Sequence, residues 1–95
     1  MNPVSDSKFQ YVYIIRSKKD GRWYTGCTED LRKRLREHNE GKFESWTKGR
    51  GPFEIIYYEA YRNPKDAFSR EKQLKSGPGK EYMKRRLKRF ISLTG

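Results

Sequence analysis

A glutamate on an apolar helical face is the first residue of this chain that suggests chemistry. Glu71 lies at helical spacing between Ala67 and Leu74, in a segment whose pattern predicts an amphipathic helix. A carboxylate there is costly to bury unless it is paired with a cation or bound to a metal ion. Two interpretations stay open: a metal ligand, or a carboxylate at the edge of the apolar stripe that pairs with Arg70 or Lys75.

A basic and a titratable side chain share another predicted helix. Arg34 and His38 are four residues apart, so they are neighbours on the helix surface. His38 also falls beside Leu31 and Leu35 on the apolar face. A guanidinium offers a planar, forked hydrogen-bond donor to phosphate oxygens, and an imidazole exchanges protons near neutral pH. A lone histidine on such a face is also common as a purely structural residue, and both interpretations remain.

Tyrosines are concentrated in the first two predicted strands. Tyr11 and Tyr13 are two residues apart and therefore share one face of the first strand. Tyr24 lies roughly opposite them on the strand that returns after the turn. Hydroxyl groups brought together in this way need hydrogen-bond partners. These tyrosines either complete the strand faces as structural residues or bring hydroxyls to a functional site.

The strands that would position the tyrosines follow from local composition. Three segments rich in β-branched and aromatic residues are predicted strands: 9–16, 23–26 and 53–61. Asp20-Gly21 predicts the hairpin turn between the first two. The residues between 42 and 52 mix glycine, proline and basic side chains, and they predict a basic loop before the third strand.

Helices are predicted at about 28–39, 63–76 and 80–93. Thr28 is expected to cap the first, with Glu29 and Asp30 in its first turn. Asn63-Pro64 opens the second, and Gly77-Pro78-Gly79 ends it. The side chains expected to face the core from the last two helices are Ala67, Phe68, Leu74, Tyr82, Met83, Leu87, Phe90 and Ile91. The order ββαβαα predicts an α+β fold, a three-stranded antiparallel sheet flanked by helices, as a single domain over residues 1–95.

Composition limits the class of protein. Leu, Ile, Val and Phe make up 17 of the 95 residues, a low share that is typical of disorder, but seven Tyr and two Trp supply further apolar area. No apolar run approaches the roughly 18 residues that cross a membrane, and the single cysteine excludes an internal disulfide. We expect a cytoplasmic monomer without membrane contact, whose residues 1–8 form a flexible N-terminus.

The positive charge is concentrated toward the C-terminus. Of the formal net charge of +11, residues 62–95 contribute 11 basic and 3 acidic side chains, a balance of +8. This distribution is typical of a surface that binds a phosphate backbone, although a solvated basic surface would show it too. The side chains predicted to contact nucleic acid are Lys42, Lys48, Arg50, Lys72, Lys75, Lys84, Arg85, Lys88 and Arg89.

The polar candidates together resemble a known family. Tyr11-Val12-Tyr13, followed about ten residues later by Tyr24-Thr25-Gly26, resembles the paired signature of the GIY-YIG nucleases. That family places an arginine in the next helix, where Arg34 stands, and many members place a histidine one turn further, at His38. A glutamate follows on the next long helix, where Glu71 falls. The resemblance covers nearly the whole chain and is to small single-domain members related to the N-terminal nuclease module of the excision-repair subunit UvrC.

The resemblance implies an endonuclease that hydrolyses phosphodiester bonds in DNA rather than RNA, with repair as its setting. In this view Glu71 holds one Mg²⁺ or Mn²⁺ ion, bound weakly without substrate. Arg34 contacts the phosphate, and Tyr13 or Tyr24 accepts the proton of the attacking water. His38 helps to position Tyr24 or relays its proton.

A module of the same fold that binds nucleic acid without cutting it is the alternative. Five polar residues at the family spacing favour the enzyme. Family nucleases often carry an asparagine on the last helix near the site, however, and residues 80–93 contain none. This departure favours the binding module, and the sequence leaves both functions open.

Overall fold

The computed structural model describes residues 8–42 and 47–94 and shows one three-stranded antiparallel sheet packed against helices. In chain order the elements are β1 (Gln10–Ser17), β2 (Trp23–Thr28), α1 (Leu31–Asn39), β3 (Phe53–Tyr61), α2 (Pro64–Lys75), α3 (Gly77–Arg86) and α4 (Lys88–Thr94). The strand order is β2-β1-β3, so β2 is an edge strand. The predicted α+β class and the three strands are confirmed. The predicted flexible N-terminus, apart from Lys8, and residues 43–46 of the basic loop lie outside the described residues.

Alternation along β1 sends its buried side chains to two separate apolar cores. Val12 and Ile14 belong to a first core, and Tyr13 and Ile15 belong to a second one. The first core is completed from α2 and α3 by Ala67, Leu74 and Met83. The second is completed by Phe53 and by the half-buried Leu31 and Leu35 of α1. Successive strand residues face opposite sides of a sheet, so α1 covers one face and α2 with α3 covers the other.

Helices α1 and α2 begin at polar caps. The Asn63 side chain accepts a hydrogen bond from the Lys65 amide at 2.9 Å, and a proline follows it at the first position of α2, as predicted. At α1 the cap is Asp30, whose carboxylate accepts from the Lys33 amide at 3.1 Å. The prediction of a cap at Thr28 is wrong because Thr28 still belongs to β2, where its hydroxyl accepts from the Asp30 amide.

α2 ends before the glycine-proline-glycine run, as predicted, but the run itself forms the first turn of the next helix, which begins at Gly77 rather than at residue 80. Ser76 caps α3, and its hydroxyl accepts the Gly79 amide at 3.1 Å. Proline is compatible with the first turn because amides there have no partner within the helix. The single helix predicted over 80–93 is two helices, since Leu87 leaves helical geometry at φ −102° and ψ 17°. No helix in the described ranges is long and apolar enough to cross a membrane.

An ion pair between α2 and β3 fixes how the helix is rotated. Glu59 accepts hydrogen bonds from Arg70 at 2.9 and 3.0 Å and from the hydroxyls of Tyr57 and Tyr61. With Arg70 turned to the sheet in this way, Phe68 is directed outward and is 52% exposed. The prediction that Phe68 faces the core is therefore wrong, as is that for Tyr82 of α3, which is also exposed, whereas those for Ala67 and Leu74 are confirmed.

The contact between α2 and α3 leaves no room for a methyl group at Gly79. A Cβ there would collide with the Gln73 carbonyl oxygen and lie 2.9 Å from Leu74 Cα, whereas a Cβ at Gly77 meets nothing within 4 Å. We expect Gly79→Ala to lower the free energy of unfolding by about 1–3 kcal/mol and Gly77→Ala to change it by less than about 0.5 kcal/mol. Urea unfolding followed by circular dichroism measures both, and equal stability of the two variants would contradict this packing.

Candidate active site

The side chain of Tyr13 lies over a residue that has no side chain. Tyr13 of β1 is paired with Gly26 of β2. A Cβ built on Gly26 would lie 2.6 Å from Cζ of the Tyr13 ring and would overlap its hydroxyl. Any other residue type at this position would displace the ring, because packed interiors do not absorb such an overlap. Gly26 therefore lets the phenol of Tyr13 extend over the edge strand of the sheet.

His38 connects Tyr13 to the loop that follows α1. Its Nε2 lies 3.0 Å from the Tyr13 hydroxyl and its Nδ1 lies 2.9 Å from the Thr47 hydroxyl. His38 is only 3% exposed. Burial, followed by the positive charge of Arg34, lowers the pKa of His38 to about 4. The ring is therefore neutral at physiological pH, and it donates a proton to one of the two hydroxyls and accepts from the other.

Arg34 stands between this hydrogen-bonded unit and solvent. Its guanidinium is hydrogen-bonded to Tyr13, and its Nε lies 3.8 Å from a carboxylate oxygen of Glu37. Burial raises the pKa of Tyr13 well above its ordinary value, although the charge and hydrogen bond of Arg34 act in the opposite direction. The Tyr13 phenol therefore stays protonated, while the half-exposed guanidinium remains accessible to an anionic ligand.

Tyr24 lies on the same sheet face as Tyr13. Its ring packs edge-on against His38 with 5.2 Å between the ring centres, and the Lys75 ammonium lies 5.9 Å from the centre of the Tyr24 ring. The register pairs Tyr24 with Ile15 and Tyr13 with Gly26. The two tyrosines are thus diagonal neighbours across the strands, and both contact the same histidine.

Glu71 reaches the cluster from α2, on the other side of β2. Its side chain is 22% exposed and forms an ion pair of 2.9 Å with Lys75, one helical turn further on. This confirms the contact expected for a carboxylate at the edge of the apolar stripe. Glu71 also influences the ionisation of two groups of the sheet. Burial, and after it the negative charge of Glu71, raises the pKa of the Cys27 thiol to about 12. The same negative charge contributes to the raised pKa of Tyr13.

All five candidates from the sequence are brought together at this edge of the sheet. Tyr13 contacts His38 and Arg34, His38 contacts Tyr24, and Glu71 lies within electrostatic range of Tyr13. Contact alone does not assign their roles, which stay predictions.

Two neighbours in the cluster were missed by the sequence reasoning. Thr47 lies nine residues after His38 in an irregular segment, and no local pattern marks it as a partner. The position of Cys27 on the α2 side of the sheet could have been inferred, because strand alternation directs its side chain away from the face that carries Tyr24. Its partner across the strands is the buried Val12.

Glu71 is the residue of this cluster that could hold a metal ion. Within residues 8–42 and 47–94, no group of three or more His, Cys, Asp and Glu side chains is arranged to bind one. Mg²⁺ is commonly bound through one or two carboxylates, with phosphate and water completing its shell. The half-buried Glu71 carboxylate fits that mode, provided that the Lys75 ammonium turns away from it.

The cations predicted to hold nucleic acid are distributed over several surfaces. Eight of these nine side chains are exposed, and Arg50 is half-buried. Ion pairs join Lys42 to Glu40 and Arg50 to Asp20, each at 3.3 Å. The exposed cations on the helices are Lys72, Lys75, Lys84, Arg85, Lys88 and Arg89. The charge that the sequence places after residue 62 therefore lies mainly on α2, α3 and α4.

The model of the GIY-YIG catalytic domain matches residues 9–89. The chain belongs to the GIY-YIG nuclease family. This confirms the resemblance on which the site residues were chosen, and membership of the family implies a nucleic-acid substrate.

The chain is also similar to other proteins of comparable size. The chain is 45% identical over 65 residues to a UPF0213 protein of Clostridium perfringens, covering 68% of this chain and 69% of the relative. It is 42% identical over 74 residues to a UPF0213 protein of Oceanobacillus iheyensis, covering 78% and 85%. The solution NMR structure of the UPF0213 protein BH0048 from Bacillus halodurans is 37% identical and covers 92% of this chain and 86% of that chain, with a TM-score of 0.47.

The buried histidine makes stability depend on pH. The folded-state pKa of His38, about 4, lies below the ordinary value of 6.5. Between these values the unfolded chain binds more protons, so the free energy of unfolding falls as the pH drops through this window. The contribution of this group is at most about 1.4 kcal/mol per pH unit. His38→Gln should lose less stability between pH 7 and pH 5 than the wild type.

Urea unfolding at the two pH values measures this difference. His38 is the only histidine in the sequence, so the wild-type chain has no second imidazole to obscure it. An identical pH dependence in the wild type and in His38→Gln would show that the histidine is not held neutral by the fold.

Proposed function

We propose that this protein is a divalent-metal-dependent endonuclease that acts as a monomer on DNA and hydrolyses its phosphodiester bonds. The proposal is supported by one observation above all: a carboxylate, Glu71, lies within electrostatic range of a phenol, Tyr13, that is hydrogen-bonded to an accessible arginine, Arg34. In a chain of the GIY-YIG nuclease family, these groups match the needs of phosphodiester hydrolysis. The reaction requires a positioned nucleophile and stabilisation of charge on the phosphoryl oxygens.

Arg34 is suited to hold the phosphate that is cut. Its guanidinium is 36% exposed, and the hydrogen bond to Tyr13 restricts its orientation. A planar fork of donors binds two phosphate oxygens at once. Because charge on these oxygens grows toward the transition state, a donor that is already oriented stabilises the transition state more than the ground state.

We assign the acceptance of the water proton to Tyr24 and the orientation of the water to Tyr13. Burial raises the pKa of Tyr13 and so disfavours a phenolate there. Tyr24 is the second tyrosine beside His38, and its ring centre lies 5.9 Å from the Lys75 ammonium. The neutral His38 ring contacts both tyrosines and holds them in register.

Glu71 would hold the Mg²⁺ or Mn²⁺ ion. Bound there, the ion supplies positive charge to the phosphoryl and leaving oxygens. Lys75 must release Glu71 for this to happen, since its ammonium lies 2.9 Å from the carboxylate. Once released, Lys75 can contact a substrate phosphate, which agrees with its place among the predicted backbone-binding residues.

A module that binds nucleic acid without cutting it is the second candidate. The Glu71–Lys75 ion pair satisfies the carboxylate without a metal, and residues 80–93 lack the asparagine that family nucleases often carry. A binding protein, however, has no need of a half-buried carboxylate at this position, whereas a metal-dependent enzyme does.

Replacement of either proposed catalytic group should slow cleavage strongly and preserve the fold. We expect Glu71→Gln and Arg34→Lys each to lower the cleavage rate by roughly 10²-fold or more, the usual effect of losing one stabilising group of a transition state. The measurement is cleavage of nicked, branched and single-stranded DNA with Mg²⁺ and Mn²⁺, with circular dichroism as the check on folding. Glu81→Gln, at an exposed glutamate of α3, is the matched control.

The two candidate functions differ in this assay. Unchanged cleavage by both purified variants would refute the proposed site. Absence of cleavage in the wild type on every substrate, with retained DNA binding, would instead favour the non-cleaving module.

Lys75 should compete with the metal ion for Glu71. A partly exposed ion pair contributes up to about 1 kcal/mol, so Lys75→Met should raise the affinity for Mn²⁺ by up to about fivefold. Electron paramagnetic resonance of free Mn²⁺ measures this affinity without any substrate. Lys72→Met, at an exposed lysine on the same helix, is the control and should leave the affinity nearly unchanged. A lower affinity in Lys75→Met would contradict competition for the carboxylate.

A further inference from the structure

A basic groove lies between the start of β2 and the last two helices, apart from the tyrosine cluster. It encloses about 780 Å³. Four cations line it, namely Arg22, Lys80, Lys84 and Lys88, together with the apolar side chains of Trp23 and Ile91. None of the described residues that line it is acidic. Its occupant must therefore be anionic and must also offer a flat apolar surface.

The three lysines are arranged along one wall of the groove. Lys80 and Lys84 are one helical turn apart on α3, about 6 Å along its axis, and Lys88 is the first residue of α4. The break at Leu87 brings α4 against the sheet, where the Phe90 ring lies 4.9 Å from the guanidinium carbon of Arg16. This wall thus presents successive ammonium groups on elements that are anchored to the sheet.

Trp23 provides the apolar part of the groove. It is half-buried and packs against the first core, and its position in β2 is fixed by pairing with Arg16 of β1. A tryptophan held in this way offers a rigid surface next to the lysines. Aromatic rings beside cations are the usual means of binding single-stranded nucleic acid, because bases stack on the ring while the cations hold the phosphates.

We propose that this groove binds a single-stranded segment of DNA that leads to or from the cleavage site, a proposal that rests on the function proposed above. Lys80, Lys84 and Lys88 contact the phosphates, and an unpaired base stacks on Trp23. A duplex is excluded from this mode because its base faces are covered by neighbouring bases. Trp23 packs against the first core and the tyrosines lie on the other face of the sheet, so a DNA strand that leaves the groove passes round the edge strand β2 to reach them, a path of about 10 Å from Trp23 to Gly26.

The substrate class follows from this placement. DNA with a single-stranded arm, such as a flap or a gapped duplex, occupies the groove and the cluster together. Fully paired DNA reaches only the cluster and the exposed lysines.

Binding can be measured separately from cleavage. The experiment uses the full chain with Glu71→Gln, in EDTA, and a fluorescent oligothymidylate followed by anisotropy. The sequence has two tryptophans, so Trp46→Phe leaves Trp23 as the only one, and its fluorescence should be quenched by an unlabelled oligothymidylate. Trp23→Leu, which keeps an apolar side chain and loses the ring, should weaken binding about tenfold, whereas Trp23→Phe should retain most of it.

The lysines are tested through the salt dependence. Lys84→Ala combined with Lys88→Ala should reduce the slope of log affinity against log salt by about 1.4, since each phosphate contact on a single strand contributes about 0.7. Lys65→Ala, at an exposed lysine in the first turn of α2, should leave the slope unchanged.

Two results would overturn the groove proposal: unquenched Trp23 fluorescence at saturating oligothymidylate, or equal affinities of Trp23→Leu and Trp23→Phe. If the groove does not bind single-stranded DNA, the wild type can still cleave nicked DNA. If the protein is not a nuclease, oligothymidylate can still quench the fluorescence of Trp23. The two proposals can therefore be refuted independently.

Discussion

The arrangement of the site depends on the close approach of the Tyr13 phenol to the backbone of Gly26, which carries no side chain. Tyr13 starts from the central strand, yet its hydroxyl extends over Gly26 of the edge strand because no Cβ stands in its way. Only from that position does it bond to His38 and Arg34. Glu71 approaches the same edge from the helix on the opposite face of the sheet. The edge strand is therefore the place where groups from both faces meet.

Charge in the cluster is balanced before any substrate arrives. Lys75 neutralises Glu71 at 2.9 Å, burial and Arg34 keep His38 neutral, and burial keeps Tyr13 protonated. Apart from the Glu37 carboxylate 3.8 Å from its Nε, Arg34 faces groups that carry no net negative charge. An incoming phosphate is attracted by this arrangement, and a divalent ion that takes the place of Lys75 at Glu71 adds to the attraction.

Local patterns predicted most of the fold, and the errors have local causes. Strand alternation and the Asn63 cap are encoded by neighbouring residues, so the sheet and α2 were predicted within about two residues at most boundaries. Gly77-Pro78-Gly79 has the composition of a break but begins a helix, because the cap at Ser76 and the close approach at Gly79 favour small residues. The site residues were predicted through a family resemblance. Thr47, the partner of His38, was not, because a contact made by an irregular loop leaves no periodic signal.

The central claim is that Glu71 holds the divalent ion beside the tyrosines, and paramagnetic broadening by Mn²⁺ tests it most directly. Amide NMR spectra would be recorded with a non-hydrolysable oligonucleotide while Mn²⁺ is added in substoichiometric amounts. The amide signals of Gly26, Cys27 and Glu71 should broaden first, and Glu71→Gln should prevent this. Broadening that begins at the exposed carboxylates of Glu29 and Asp30, or that persists unchanged in Glu71→Gln, would contradict it.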